Sequence, residues 1–197
     1  MAIHLFKDSE LTQQISEGSL ANPDSDVFNG TDGESKDKQL YLANEQTTLA
    51  SAVDAATTAI PLAEARFTDG QIIMIGSEQM LIASGGGTTE LTAERGYAGT
   101  TAGNHSSGTK VYSGYNYSDL TIQPVDEVGS SEASWIKLAS DQAGLDAAVE
   151  GASLALGNKA HSTTLSFWRR ITVPAATPVQ NKTDIKLRLT GTESPII

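Results

Sequence analysis

Three histidines are the only imidazole groups in the chain, and the chain contains no cysteine. Catalysis needs a nucleophile, a base or a set of metal ligands held within hydrogen-bond reach of a partner, and no spacing of Asp and Glu residues marks a pair suited to glycoside hydrolysis. His4 lies near the amino terminus and His161 in a polar turn, whereas His105 stands in a patterned run of glycine, serine and threonine. An imidazole there is suited to hydrogen-bonding neighbouring backbone. We therefore expect His105 to brace a loop, and we assign no catalytic residue, metal ligand or cofactor.

The run around His105 spans residues 95–111 and reads Arg-Gly-Tyr-Ala-Gly-Thr-Thr-Ala-Gly-Asn-His-Ser-Ser-Gly-Thr-Lys-Val. Its glycines and hydroxyl residues cannot supply a buried apolar face, so it predicts a shaped loop. The Arg95 guanidinium could hold loop carbonyls or face a partner's carboxylate, and we favour the internal brace. Tyr97 can bury its ring while its hydroxyl stays in water. Arg95, Tyr97 and His105 are the predicted loop-bracing residues.

The amino-terminal part is acidic: residues 1–47 contain nine of the 24 acidic side chains and three of the 13 basic ones. Asp24 and Asp26 have the spacing of the first ligands of an EF-hand calcium loop, but its third ligand and its glycine are missing. We favour a solvated acidic loop and keep calcium as the lesser alternative. Asp24, Asp26 and Asp32 are also candidates for contact with a basic protein partner.

The composition limits the class of protein. Hydrophobic residues make up 39% and charged residues 19% of the chain, and turn signals recur throughout, which is typical of an all-β protein with many loops. The formal net charge of −11 would repel phosphate backbones, so we expect no nucleic-acid partner. The sequence lacks a signal-peptide pattern and an apolar run of membrane-spanning length. We expect no membrane partner, and assembly in a cytoplasm.

Residues 48–111 divide into short strand patterns separated by turn signals. Gly76-Ser77 predicts a two-residue hairpin turn, and Gly85-Gly86-Gly87 predicts the next reversal. We expect a small β-barrel-like module here. Its expected strands are residues 48–53, 57–62, 71–75, 78–83 and 89–93.

Strand patterns also flank this module, at residues 38–43 and 120–125. This arrangement predicts a module inserted into one hairpin of an outer β-sandwich, with domains at residues 1–47, 48–111 and 112–197. The polar stretch at residues 8–38 predicts an arm that lies across the sandwich or across a neighbouring subunit. Because the arm has too few apolar groups to order itself, we expect contact with another subunit to order it.

The carboxyl-terminal part predicts one short helix and two strong strands. The helix is expected within residues 140–151, with Leu145, Ala148 and Val149 on one face. Residues 163–173 predict a strand in which Arg169 shares the apolar face, and we expect a bulge to turn it or its neighbour outward. Residues 184–190 alternate between apolar and polar side chains, as in a strand with one wet face.

The module residues also carry a resemblance. The segments Gly-Gln-Ile-Ile-Met-Ile-Gly-Ser-Glu at 70–78 and Arg-Gly-Tyr-Ala-Gly-Thr-Thr-Ala at 95–102, followed by His105, Gly108 and Val111, resemble a small β module of tailed-bacteriophage virion proteins, especially tail and baseplate proteins. Residues 167–175 and 181–185 resemble, more weakly, the last strands of immunoglobulin-like sandwiches in phage structural proteins. The resemblance implies an immunoglobulin-like outer sandwich.

It also implies a non-enzymatic structural subunit of a virion, whose partners are other virion proteins and copies of itself. Tail, neck or baseplate is the favoured position, and a capsid-surface decoration (cement) protein is the first alternative. A carbohydrate- or host-receptor-binding module is the second. For that alternative Trp135, Trp168, Tyr115 and Tyr117 would be the stacking groups, so both tryptophans are partner-contact candidates. Burial of both tryptophans would argue against it.

Overall fold

The computed structural model describes residues 1–128 and 131–196. In these residues 45% of the chain is strand, and no helix reaches seven residues, which confirms the predicted all-β class. None of the helices in this part of the chain is long and apolar enough to cross a membrane. The strands are, in chain order, β1 (Ile3–Phe6), β2 (Glu34–Asn44), β3 (Gln46–Thr48), β4 (Ala59–Pro61), β5 (Ile72–Ile75), β6 (Glu78–Ser84), β7 (Glu90–Glu94), β8 (Lys110–Ser113), β9 (Tyr115–Asp126), β10 (Ile136–Ala139), β11 (Leu154–Lys159), β12 (Leu165–Val173) and β13 (Ile185–Pro195).

Seven strands form the sandwich. One sheet has the order β1-β2-β12-β10 and the other has the order β11-β9-β13, and all pairs are antiparallel. Leu40, Ile122 and Phe167 are fully buried between the sheets. The alternation predicted for residues 184–190 is confirmed, because the apolar side chains of that part of β13 pack against this core.

The remaining six strands form a curled sheet with the order β3-β8-β5-β6-β7-β4. Its two edges meet at a bridge between Leu49 and Leu62, where the Ala50 amide donates to the Pro61 carbonyl and the Ala63 amide to the Thr48 carbonyl, both at 2.9 Å. The sheet therefore curls into a small barrel around an apolar core of its own. That core contains Leu49, Val53, Ile60, Leu62, Phe67, Ile73, Ile75, Met80, Ile82, Leu91, Ala93 and Val111.

The predicted turns of this barrel are present, but one predicted strand is not. Gly76-Ser77 joins β5 to β6 with Gly76 at a φ of +60°. Residues 48–53 are not a strand, because β3 ends at Thr48 and Val53 makes only an isolated bridge. The following chain turns around Asp54, whose Oδ1 accepts hydrogen bonds from the amides of Ala56 and Thr57 and so favours a loop over a sheet ladder.

The flanking strands do not form one interrupted hairpin. β2 lies between β1 and β12, while β9 lies between β11 and β13 in the other sheet. The hairpin prediction was wrong because both edges of β2 are already paired within its own sheet. The two ends of the curled sheet are nevertheless close, since the Ser113 amide donates to the Glu45 carbonyl at 2.9 Å. The chain thus passes from one sheet of the sandwich to the other through the barrel.

The strand order also differs from that of an immunoglobulin domain. If the sandwich strands are lettered A to G in chain order, the sheets are A-B-F-D and E-C-G. An immunoglobulin constant domain has ABED and CFG instead. The fifth and sixth strands have exchanged sheets, so the fold is a β-sandwich of different connectivity.

The predicted helix within residues 140–151 is shorter than expected. Within residues 140–151 only Ala143–Asp146 is helical, as one 3-10 turn. The Asp141 carboxylate, just before this turn, accepts a hydrogen bond from the Gly144 amide at 2.8 Å. Leu145 is buried as predicted, whereas Val149 is 70% exposed. A single buried apolar side chain is too little to stabilise a longer amphipathic helix against the sheet.

Candidate functional site

The candidate site is a buried carboxylate beneath the loop of residues 95–105. Glu78 is the first residue of β6, directly after the Gly76-Ser77 turn. It shares its strand face with Met80 and Ile82, and all three are buried. Glu78 is only 1% exposed. A charge in such a position is tolerated only with a cation and several hydrogen bonds around it.

Arg95 supplies the cation, and all of its N–H groups donate hydrogen bonds to Glu78 or to carbonyls of the neighbouring loops. Its Nε and Nη2 donate to Glu78 Oε1 and Oε2 at 2.7 and 2.9 Å. Its Nη1 donates to the carbonyls of Asp54 and Thr57 at 2.7 and 2.6 Å. Nη2 also donates to the carbonyl of Gly103 at 2.6 Å. A guanidinium has five N–H donors, so Arg95 has none left for another molecule.

His105 completes the cluster from the far end of the loop. Its Nε2 lies 2.7 Å from Glu78 Oε2, and because an ionised carboxylate only accepts, this nitrogen is the donor. The amides of Gly96 and Gly103 also donate to Glu78, at 3.1 and 3.0 Å. The backbone of His105 exchanges two 2.9 Å hydrogen bonds with Val53. We call Glu78, Arg95 and His105 the loop hub.

The electrostatics of the loop hub keep Glu78 charged. Burial alone would raise the pKa of this carboxyl, but the hydrogen bonds from Arg95, Gly103, His105 and Gly96 outweigh it and lower the pKa to about 2. The carboxylate is therefore ionised at any physiological pH. Its oxygens are surrounded by internal donors, which leaves no room to take a proton from a substrate.

The loop above the hub has one defined backbone conformation. Gly96 has a φ of +62°, and a Cβ there would lie 2.8 Å from the Thr100 carbonyl oxygen, so only glycine fits. Tyr97–Gly99 form a 3-10 turn, and the Thr100 hydroxyl donates to the Tyr97 carbonyl at 2.9 Å. The Thr100 hydroxyl also accepts the Gln79 amide at 3.0 Å, which ties the loop to β6.

The surface of this loop is small and uncharged. Ala98, Gly99 and Thr101 are exposed, and Tyr97 is half-buried beside them. Ala98 has a φ of +53°, an unusual value for a residue with a Cβ. We call residues 97–101 the loop tip. A loop tip that is tied to β6 through Thr100 and presents backbone groups and small side chains is suited to contacting another surface.

Arg95 and His105, two of the predicted loop-bracing residues, both bind Glu78, which was not predicted from the sequence. Glu78 could have been found from its strand position: it alternates with Met80 and Ile82, so its carboxylate had to point inward and had to meet a cation. Tyr97 lies on the loop itself, and its contacts are made by its carbonyl oxygen.

A second charged cluster lies in the sandwich around Arg169, which is 1% exposed. Its Nε donates to Asp24 Oδ2 at 2.7 Å, and its Nη2 donates to Asp26. Lys38, directly opposite Arg169 on β2, donates to Asp24 Oδ1 at 2.6 Å. The predicted bulge was wrong: β12 keeps its register with β2 throughout, and the arm brings carboxylates to the inward-facing charge.

These ion pairs hold the amino-terminal arm on its own chain. Burial would lower the pKa of Arg169, but the bonds to Asp24 and Asp26 raise it. Further along, the Thr177 amide donates to the Gly30 carbonyl at 2.9 Å. Near the start, the Ile15 amide donates to the Leu5 carbonyl at 2.8 Å. The expectation that the arm cannot order itself is not met, because charge pairs and backbone hydrogen bonds replace the missing apolar contacts.

The other predicted contact residues lie apart from both clusters. Asp32 is exposed and accepts a hydrogen bond from the Asn29 side chain at 2.9 Å. Trp135 and Trp168 are both half-buried, so their burial does not decide between a stacking and a packing role. Within residues 1–128 and 131–196, no three His, Asp or Glu side chains are grouped as metal ligands would be.

The loop hub, the loop tip and the charged cluster of Arg169, Lys38, Asp24 and Asp26 are therefore the features from which a function must be argued. The loop hub and the cluster around Arg169 hold segments of the chain in place from inside the protein. The loop tip is the exposed surface above the loop hub. Comparisons of the chain with models of protein families, with curated proteins and with solved structures found no match.

Proposed function

We propose that the protein is a non-enzymatic structural subunit of a tailed-phage virion, acting in the tail, neck or baseplate. The observation that carries this proposal is the loop hub, in which Arg95 spends all five donors on Glu78 and on loop carbonyls. The buried carboxylate of Glu78 and its arginine are thus committed to holding a loop in shape. The resemblance of residues 48–111 to a virion module gives the biological setting.

A loop fixed in advance is suited to protein assembly. Ordering a flexible loop on binding costs free energy, and a pre-organised loop avoids that cost. The loop tip offers Ala98, Gly99 and Thr101 at the surface without a charge that would need desolvation. Its neighbour in the particle should present a complementary, weakly charged surface, such as a strand edge or another small loop.

Capsid-surface decoration is the second candidate, and the arm supports it. The arm is held on the sandwich by Asp24 and Asp26, and its outer face includes the exposed side chains of Leu20 and Val27. A decoration protein needs such an extended contact to grip a shell. The receptor-binding alternative is weaker, because of its four stacking groups Tyr117 is only 2% exposed, and Tyr115, Trp135 and Trp168 are half-buried.

The proposal is tested by incorporating variants into particles of the phage that encodes the chain. Thr101→Arg places a long charged side chain on the loop tip, whereas Thr92→Arg places it on an exposed position of β7 outside the loop. We expect wild-type protein and Thr92→Arg in purified particles, and we expect Thr101→Arg to fold normally but to be missing from them.

Mass spectrometry of the particles gives the amounts, and circular dichroism of the free proteins checks the fold. Absence of the wild-type protein from purified particles would overturn the virion proposal. Equal incorporation of both variants would leave the virion setting intact but would remove the loop tip as the docking surface.

A further inference from the structure

A lysine and an asparagine meet inside the protein where the barrel joins the sandwich. Lys159 is the last residue of β11 and Asn44 is the last residue of β2, so they come from different sheets. Their side chains are 2% and 1% exposed. Lys159 Nζ lies 2.5 Å from Asn44 Oδ1, across 115 positions of sequence. No feature of the loop hub or of the arm uses this pair.

The charged form of the Lys159 amine has no carboxylate among its hydrogen-bond partners in the described residues. In the described part of the chain its Nζ has two neutral oxygens as hydrogen-bond partners, those of the Asn44 side chain and of the Ala160 carbonyl. A buried ammonium normally has a carboxylate beside it. Burial lowers the pKa of Lys159 to about 8, so a useful fraction of the amine is neutral and nucleophilic under physiological conditions.

The asparagine amide is held in one orientation. Its Nδ2 donates to the Ser113 carbonyl and hydroxyl oxygens, both at 3.0 Å, and to the Tyr115 carbonyl at 2.8 Å. These acceptors fix the amide plane and turn Oδ1, and with it Cγ, toward Lys159. Two reacting groups held together in a dry site react far faster than the same groups in solution.

We propose that Lys159 and Asn44 become joined by an intramolecular amide bond. The neutral Nζ attacks Asn44 Cγ, the Nζ–Cγ bond forms, and the Cγ–Nδ2 bond breaks. The proton lost by Nζ passes to Nδ2, which leaves as ammonia. The step needs no oxidant and no further reactant.

Such a bond would be a covalent staple in a chain that has no cysteine. It would tie the two sheets of the sandwich together at the point where the chain enters and leaves the barrel. A cross-link between residues so far apart in sequence restricts the unfolded chain strongly. A particle subunit exposed to mechanical load would gain resistance to unfolding from it.

The chain contains its own control for this chemistry. Lys7 Nζ lies 2.7 Å from Asn22 Oδ1 on the arm, which is a similar contact between the same two residue types. Lys7 and Asn22 are only half-buried, so water solvates the ammonium and the amide. We expect this second pair to stay unlinked.

The test is the intact mass of the folded, purified, full-length protein after prolonged incubation. We expect a mass below that of the sequence by one ammonia molecule, and a branched peptide that joins Lys159 to Asn44 after proteolysis. The peptides containing Lys7 and Asn22 should remain separate. Lys159→Met should retain the full mass. Should that variant not fold, the wild-type measurement still decides.

Two results would overturn the proposal. One is the full sequence mass, with Lys159 and Asn44 on separate peptides. The other is a loss of ammonia without the branched peptide, as ring closure at the Asn29-Gly30 sequence would give.

Discussion

Single inward-facing charges organise two parts of this protein. Glu78 and Arg169 each occupy a strand position whose neighbours on the same face are apolar, and each is 1% exposed. Because an uncompensated charge in such a place is very costly, each one fixes a segment that carries its partner. Glu78 fixes the loop of residues 95–105, and Arg169 fixes the arm through Asp24 and Asp26.

Replacing Glu78 tests the first of these charges. Glu78→Gln keeps the shape of the side chain but leaves Arg95 as an unpaired buried cation, so we expect a loss of about 3–5 kcal/mol in the free energy of unfolding. Glu94→Gln is the matched control, because Glu94 is exposed on β7 and its replacement should change stability by less than about 0.5 kcal/mol. Urea denaturation measures both, and equal effects would contradict the role of Glu78.

The lowered pKa of Glu78 also predicts how the free energy of unfolding depends on pH. The pKa of Glu78 is about 2 in the folded protein, against an ordinary value of 4.5. Its contribution is complete above 4.5 and is lost as the pH falls from 4.5 toward 2, because the unfolded chain binds the proton first. Glu78→Gln should therefore show a shallower fall in stability over this range, and an unchanged slope would count against the assigned cause.

At the scale of elements, local sequence patterns were enough to predict strands that alternate between apolar and polar residues and turns that contain glycine. The alternation at residues 184–190 and the Gly76-Ser77 turn were predicted and are confirmed. Residues 48–53 were misassigned because Asp54 turns the backbone into a loop. The hairpin joining β2 to β9 was misassigned because the partners of a strand depend on the whole sheet.

The candidate site also has a part that local sequence patterns predict and a part that depends on long-range contacts. The loop of residues 95–105 is visible in the sequence from its glycines, and Arg95 and His105 stand out within it. The alternation of Glu78 with Met80 and Ile82 places its carboxylate inward, but its pairing with Arg95 cannot be read from the sequence, because that contact joins separate parts of the chain. The pairing of Arg169 with Asp24 spans 145 positions, and no local spacing could reveal it.

The arm is the element whose anchoring is easiest to test. Asp24→Asn combined with Asp26→Asn leaves Arg169 buried without a carboxylate, so we expect a loss of about 3–5 kcal/mol in stability. We also expect faster amide hydrogen exchange across residues 13–33. Asp32→Asn is the control, since Asp32 is exposed and its hydrogen bonds are with Asn29, within the arm. Unchanged exchange in the double variant would show that other contacts hold the arm.

At the scale of the whole molecule, two apolar cores lie on either side of a polar junction. The barrel core contains residues from 49 to 111, and every member of the sandwich cores lies outside that range. Asn44, Ser113 and Lys159 are buried at this junction, and Asn44 is hydrogen-bonded to both of the others. These hydrogen bonds join the barrel to the sandwich, and the loop tip lies exposed on the barrel.

The measurement that tests the account most directly is an electron-microscopy map of the particle that contains this chain. We predict that density for the subunit lies in the tail, neck or baseplate, with residues 97–101 buried against a neighbouring subunit. A position on the capsid surface would favour the decoration alternative. Residues 97–101 facing open solvent, or no density for this fold in the particle, would contradict the central claim.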